Sequence, residues 1–383
     1  MTAQATSWFQ VAMSTVAAAI LCQIGSGTAY ATEDRESDDR EHSRGGAIYT
    51  LTNEAQANAV VAFNRSARGT LSHPRRFATG GRGTGSGLGS QGAIALSRNA
   101  GWLFAVNAGS DDISVFSVRG TELRLAHRSS SGGTMPISVA SHRNLVFVLN
   151  AGGKGNIAGF TATSSGALRP LPDAVRSLSG PNAGPAQISF SPDGQSLVVT
   201  EKNTGLLDLY SVGEDGSVSE ATQVPSNGET PFGFSFTRRG LLIVSEAFGG
   251  RDGESAVSSY QLEDEVQPIS VSVADHQTAA CWISVTRSGR FAYTTNTGSG
   301  TISGYLVSSC GTLSLLNADG VTASTGEGSS PTDLALSADS SFLYALGSGN
   351  GTISAFQVGD DGGLTPLQQV GGLPTSVVGL DGR

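Results

Sequence analysis

The stretch FSPDGQSLVVTEKNTGLLDLYSV, Phe190 to Val212, decides how this chain is read. Ser-Pro-Asp-Gly is a tight-turn sequence, with proline presetting φ and glycine taking the later position. LVVT and LLDLYSV alternate apolar with small or polar residues, the period-two pattern of antiparallel strands packed face to face. A polar loop carrying Glu201, Lys202 and Asn203 joins them.

Similar text recurs along the chain. Inner segments begin near Gln91, Pro136, Pro185, Pro231, Ala280, Pro331 and Pro374, at successive spacings of 45, 49, 46, 49, 51 and 43. A period near 45 built from short strands is the signature of a β-propeller blade. The strand after the turn repeats as IYTLTN, LFAVNA, VFVLNA, LVVTEK, LIVSEA, AYTTNT and LYALGS, and the next as AVVAFN, ISVFSV, IAGFTA, LDLYSV, VSSYQL, ISGYLV and ISAFQV. No competing helical period runs through the repeat. The first second strand (Ile48 to Asn53) has no inner strand before it, and the last inner strand (Pro374 to Leu380) has no second strand after it. The expected fold is therefore all-β, a seven-bladed β-propeller of four-stranded antiparallel blades over residues 45–383. Its ring is closed by the C-terminal strand entering the first blade.

Composition agrees. Glycine contributes 52 of 383 residues and charged residues only 14%, which suits short strands joined by tight turns. A net charge of −9, with no Lys/Arg-rich run, argues against a nucleic-acid partner, because phosphate neutralisation needs a basic face. Residues 1–31 lack Lys, Arg, Asp and Glu and contain the apolar run Val11 to Ile24, followed by Ala29-Tyr30-Ala31. They read as a cleaved signal peptide, too short to span a membrane. A secreted or periplasmic monomer is expected, with no membrane span after cleavage. Residues 32–44 read as a disordered acidic leader.

The motif P-x-x-I-x-F-S-P-D-G at Pro185 to Gly194, the strand ending in Glu201, and TISGYLV and TISAFQV in later blades resemble the seven-bladed lactonase family. That family includes 6-phosphogluconolactonase-like and carboxymuconate-cyclase-like propellers, and the short blades also resemble YVTN-type surface propellers. The resemblance implies lactone hydrolysis with a histidine just after the inner-strand proline and an arginine and glutamate near the pore. Here Ile137, Ala186, Phe232, Cys281, Thr332 and Thr375 occupy the histidine position. Two functions are carried forward: hydrolysis of a lactone or small carboxylate ester, and non-catalytic binding of a protein, glycan or cell-envelope ligand at a channel mouth.

Lactone hydrolysis needs a base that activates water and a donor for the developing oxyanion. Glu54, Glu201 and Glu246 are assigned one repeat position and are expected to converge on one face, with Glu201 or Glu246 as base. His276, in a loop on the same face, is the candidate proton shuttle. Lys202 or Asn296 is the candidate anion stabiliser, and Arg251 adds positive charge. No cofactor and no metal are expected: the histidines lack zinc spacing, and no compact Asp-rich loop offers calcium its six to eight oxygens. No G-x-S-x-G elbow occurs. GLGSQG, Gly87 to Gly92, precedes a strand rather than a helix and reads as a flexible inter-blade loop. The aromatic residues Phe116, Phe160, Tyr210, Tyr260, Tyr305 and Phe356 are assigned to blade packing. Cys281 and Cys310 fall at opposite faces and are expected to be two unpaired thiols.

Overall fold

The computed structural model of the chain describes residues 45–262 and 265–383. Residues 1–31, read above as a signal peptide, and residues 32–44, read as an acidic leader, lie outside these residues. The described chain forms seven antiparallel sheets arranged as a ring. Numbering blades from the one that holds Gly46, the inner strands of blades 2 to 7 are Ile94–Leu96, Pro136–His142, Pro185–Phe190, Pro231–Phe236, Ala280–Val285 and Pro331–Leu336. Each is followed by three strands towards the rim, and blade 6 gains a short fifth, Ala323–Ser324. Blade 1 takes its inner strand from the C-terminus. Val378–Gly382 runs antiparallel to Gly46–Leu51, with Tyr49 opposite Asp381 and Thr50 opposite Leu380.

Three boundaries differ from the sequence reading. The inner strand of blade 2 begins at Ile94 rather than near Gln91. Pro374 to Val377 forms a turn, closed by Val377 N–H to Pro374 O at 3.1 Å, before the strand begins at Val378. The second strand of blade 1 ends at Leu51, and Asn53 leaves it at φ 50°.

The blades pack through their faces. Phe116, Phe160, Tyr210, Tyr260, Tyr305 and Phe356 are all at most 2% exposed, as expected for inter-blade packing. Burying each such ring contributes roughly 1.5–3 kcal/mol. Inner strands are sheet edges, so their free backbone groups need partners. Side chains of the preceding blade supply several of them. Ser138 Oγ accepts Ile188 N–H at 3.2 Å, and Gln187 bonds both N–H and C=O of Phe234 at 2.6 and 3.0 Å. Ser284 Oγ donates to Leu334 O, Asp333 accepts Leu380 N–H and Asp381 accepts Leu96 N–H. With Val139 N–H to Gly92 O and Ser245 Oγ–H to Cys281 O, the chain of bonds passes all the way round the channel.

Nearer the rim, three tyrosines on second strands hook the neighbouring blade. Tyr293 OH donates to Gly362 O and Tyr344 OH to Gly69 O, both at 2.8 Å, and Tyr49 OH donates to Gly120 O. The three acceptors are turn glycines at φ 85°, 81° and 63°. Burial pushes all three phenols upward, Tyr49 to about 12, so they stay donors at any ordinary pH.

Candidate functional site

The inner strands begin at one mouth of the channel with a repeated irregularity. Pairing with the second strand shifts register directly after the first residue in blades 3, 4, 5, 6 and 7. A bulge of this kind re-aims the residues within it. Ile137, Ala186, Phe232, Cys281 and Thr332 therefore sit in bulges, at the position where the family resemblance implies a histidine.

GLGSQG fills this mouth. Ser90 Oγ donates to Ile137 O at 2.9 Å, and Gln91 N–H to Ala186 O at 3.0 Å, so two bulge carbonyls fasten the segment. Trp282 Nε1 donates to Ser90 O at 2.8 Å. The Gln91 amide spans both main-chain groups of Ile283, at 2.9 and 3.1 Å. Gly233 permits this approach, since a Cβ there would collide with Gln91 Oε1 and Cys281 O. Ser90 is 3% and Gln91 9% exposed. The segment connects blades as expected, yet it is packed and bonded rather than flexible. Its six residues look like a loop because none of their partners is near in sequence.

Lys202 crosses the same mouth. Its Nζ donates to Gly89 O and lies 4.7 Å from the Phe232 ring centroid, and Phe232 in turn packs against Trp282, centroids 4.9 Å apart and rings tilted by 54°. Burial lowers the Lys202 amine to about 8, with no carboxylate to hold the charge. Cys281 below it is buried and free, its thiol pushed up to about 12 by burial. Such a thiol is not a nucleophile at neutral pH.

The glutamates take other roles. Glu201 and Glu246 end their second strands opposite Pro185 and Pro231, the register held by Asn150 in blade 3, Asn296 in blade 6 and Gly347 in blade 7. Glu54 is not in this register: it lies three residues beyond its strand and pairs with Arg76 at the surface. The expected trio therefore does not converge. The repeat was read two residues out of step in blade 1, where Thr52 holds the register and Glu54 lies two residues beyond it.

Glu201 is fully buried and accepts from Ser179 N–H at 2.9 Å, Ser179 Oγ–H and Thr204 Oγ–H at 2.6 Å. It ties the loop entering blade 4 to that blade. On the same face lies Asp208, opposite Val199 on the next strand. Burial, then the Glu201 carboxyl beside it, pushes Asp208 up to about 7. Glu246 is also fully buried, accepting from Gly228 N–H at 2.9 Å and Ser272 Oγ–H at 2.7 Å. Burial raises its carboxyl against the pull of these donors. Asn296, at the same position, instead donates its amide to Thr301 Oγ1 and Ser303 Oγ on the adjacent strand, at 3.0 and 2.8 Å. Neither glutamate has a water-exposed oxygen to act as base.

His276 is exposed at φ 60° and makes no hydrogen bond or ion pair among the described residues. Arg251 spends its guanidinium on Glu229 at 2.9 Å and Glu254 at 2.5 Å. These carboxylates hold its charge in the exposed loop rather than offering it to the channel. No group of three or more His, Cys, Asp or Glu arranged to hold a metal occurs among the described residues. Cys310 corrects one further expectation. It is disulfide-bonded and not to Cys281, which is a free thiol.

Comparisons with known proteins agree with the architecture. The family described as "Lactonase, 7-bladed beta-propeller" matches residues 41–180 and 155–247, more than half of the chain. No curated protein matches in sequence. Among solved structures, a protein from Lactobacillus plantarum is similar with a TM-score of 0.72 at 19% identity, covering 89% of this chain and 100% of its own. The periplasmic gluconolactonase of Pseudomonas aeruginosa is similar with a TM-score of 0.71 at 17% identity, covering 88% and 99%. A 6-phosphogluconolactonase candidate from Bacteroides fragilis has a TM-score of 0.70 at 15% identity, covering 88% and 98%. At these identities the likeness is one of fold. With the sequence match over more than half its length, this chain belongs to the seven-bladed lactonase family of β-propellers.

Proposed function

We propose that this chain is a ligand-binding member of the lactonase family that does not hydrolyse lactones, and that it works as an exported monomer. The observation that carries the proposal is the fastening of Ser90 and Gln91 across the channel mouth. A hydrolytic base needs a water and a substrate carbonyl within hydrogen-bond reach. Glu201 and Glu246 are committed to loop donors inside their own blades. Export is supported by the apolar Val11 to Ile24 run and the Ala29-Tyr30-Ala31 site. No helix among the described residues is long and apolar enough to cross a membrane.

The competing reading is hydrolysis of a lactone or small carboxylate ester. It is favoured by family membership and by Lys202, a buried amine near pH 8 at the closed mouth. A screen of aldonolactones and small esters with the mature protein, Glu201→Gln, Glu246→Gln and Lys202→Met separates the two. We expect no turnover above the uncatalysed rate. Turnover by the wild type that falls at least tenfold in any folded variant overturns the binding reading.

A further inference from the structure

The opposite mouth is open, and its chemistry differs. Below the Gln91 amide the channel widens into a blind cavity of about 540 Å³ that opens between the turns joining inner to second strands. This volume falls within the range typical of small-molecule sites. Apolar side chains such as Ile188, Phe236 and Leu380 line its walls, with the hydroxyls of Ser141, Ser189 and Ser284 among them.

Around the opening, four of the six covalent inner turns carry arginine, at Arg98, Arg143, Arg238 and Arg287, and Arg383 follows directly on the seventh inner strand. The two remaining turns carry Asp193 and Asp339, each bonded within its own turn to a serine hydroxyl and a backbone N–H. A chain of net charge −9 thus gathers a cationic collar at one spot. Residues about one blade apart in sequence become neighbours only when the ring closes.

Arg98, Arg238 and His142 line the cavity itself. Both arginines are exposed, and neither makes a hydrogen bond or ion pair among the described residues. His142 is held below its ordinary value by burial first, then by Arg143 and Arg98, against the pull of Asp193. Arg98 and His142 also border a second depression, of about 830 Å³, that contains Trp102 and Arg143. Unpaired guanidiniums over a blind cavity with apolar walls suit a ligand with an anionic head and a compact carbon body. A guanidinium presents a planar fork that matches carboxylate or phosphate oxygens in pairs.

We propose that this open mouth binds a small organic anion, its carboxylate or phosphate held by Arg98 and Arg238 and its body directed into the channel. The site lies at the opposite end of the channel from the residues tested in the lactone screen, so the two readings fail independently.

The test uses the mature protein at low ionic strength, titrated with inorganic phosphate and separately with succinate. Calorimetry and the fluorescence of Trp102 report binding. Saturable binding of either probe is expected, weakened at least tenfold in Arg98→Ala/Arg238→Ala and unchanged in Arg75→Ala on the outer strand Leu71–Ala78. Binding of phosphate alone or succinate alone supports the site and sets its head-group preference. The proposal is overturned by no saturable binding, by binding that the double variant retains, or by equal competition from chloride at the same ionic strength. Binding of polyglutamate without either small probe also overturns it, since the collar would then serve a macromolecule rather than the cavity.

Discussion

Replacing Gln91 with alanine tests whether the closed mouth is fastened or merely filled. The side-chain amide makes two hydrogen bonds to the main chain of Ile283, at 2.9 and 3.1 Å, within a residue environment 9% exposed. Two neutral bonds contribute about 2 kcal/mol together, and leaving a buried partner unsatisfied adds about 1–3 kcal/mol. Water in the cavity beneath Gln91 can reach one of the two freed groups, which brings the expected loss to about 2–4 kcal/mol. Unfolding entropy scales at about 2.1 cal/mol/K per residue, so for roughly 340 folded residues this is a fall in Tm of about 3–6 °C. Urea denaturation followed by circular dichroism measures the free energy, and calorimetry the Tm. A loss under about 0.5 kcal/mol with an unchanged m-value refutes the reasoning. The segment would then occupy the mouth without being held by it.

Further outcomes follow from the same contacts. Asp208, pushed up to about 7, binds a proton more tightly folded than unfolded, so its contribution to stability is present at pH 4 and lost as pH rises towards 7. Asp208→Asn should therefore gain about 1–3 kcal/mol over the wild type at pH 8 and little at pH 4, measured by urea titration at both. Lys202, lowered to about 8, should titrate near that value when followed by NMR of the methylated amine, and a midpoint above 10 contradicts its burial. Its penalty is present at neutral pH and fades as pH rises through 8 to 10, so Lys202→Met should stabilise at pH 7 and not at pH 10. Deleting Val378 to Arg383 removes the inner strand of blade 1, including buried Val378 and Leu380 and the Arg383 carbonyl that Arg65 holds. Cooperative unfolding should disappear, and a sharp wild-type-like transition would mean that the ring does not need this strand.

Blade number and closure were legible in the sequence because a propeller repeats its scaffold. Polar inner turns such as the SPDG at Ser191 to Gly194, alternating strands and one orphan strand at each end already specify a ring. The site was less legible for two reasons. Register came from aligned text, and in blade 1 a two-residue offset placed Glu54 beside Glu201, although Glu201 shares its register with Asn150, Asn296 and Thr52. Contacts across the channel leave no local trace: nothing near Gln91 announces Ile283, 192 residues away. The arginine collar was hidden in the same way, one residue per turn in an acidic chain. Glu201 shows the converse case. A glutamate at a strand end suggests a reactive carboxylate, and only the positions of Ser179, Thr204 and Asp208 show that it anchors a loop.

The tyrosine hooks have a consequence for how the ring comes apart. At the same strand position, three residues before the strand-end register, blades 2 to 5 carry Phe104, Phe147, Val198 and Ile243, which have no hydroxyl. Tyr293, Tyr344 and Tyr49 carry one, and they link blade 6 to 7, 7 to 1 and 1 to 2. The hydroxyls are thus confined to the arc around the junction of the two chain ends, where a five-residue strand alone completes the circle. A closed ring breathes first at its clasp, and here the clasp is riveted on both sides. Amide exchange at Thr50 and Leu380 will report its opening, and exchange there should quicken in Tyr344→Phe and Tyr49→Phe while the middle blades keep their protection.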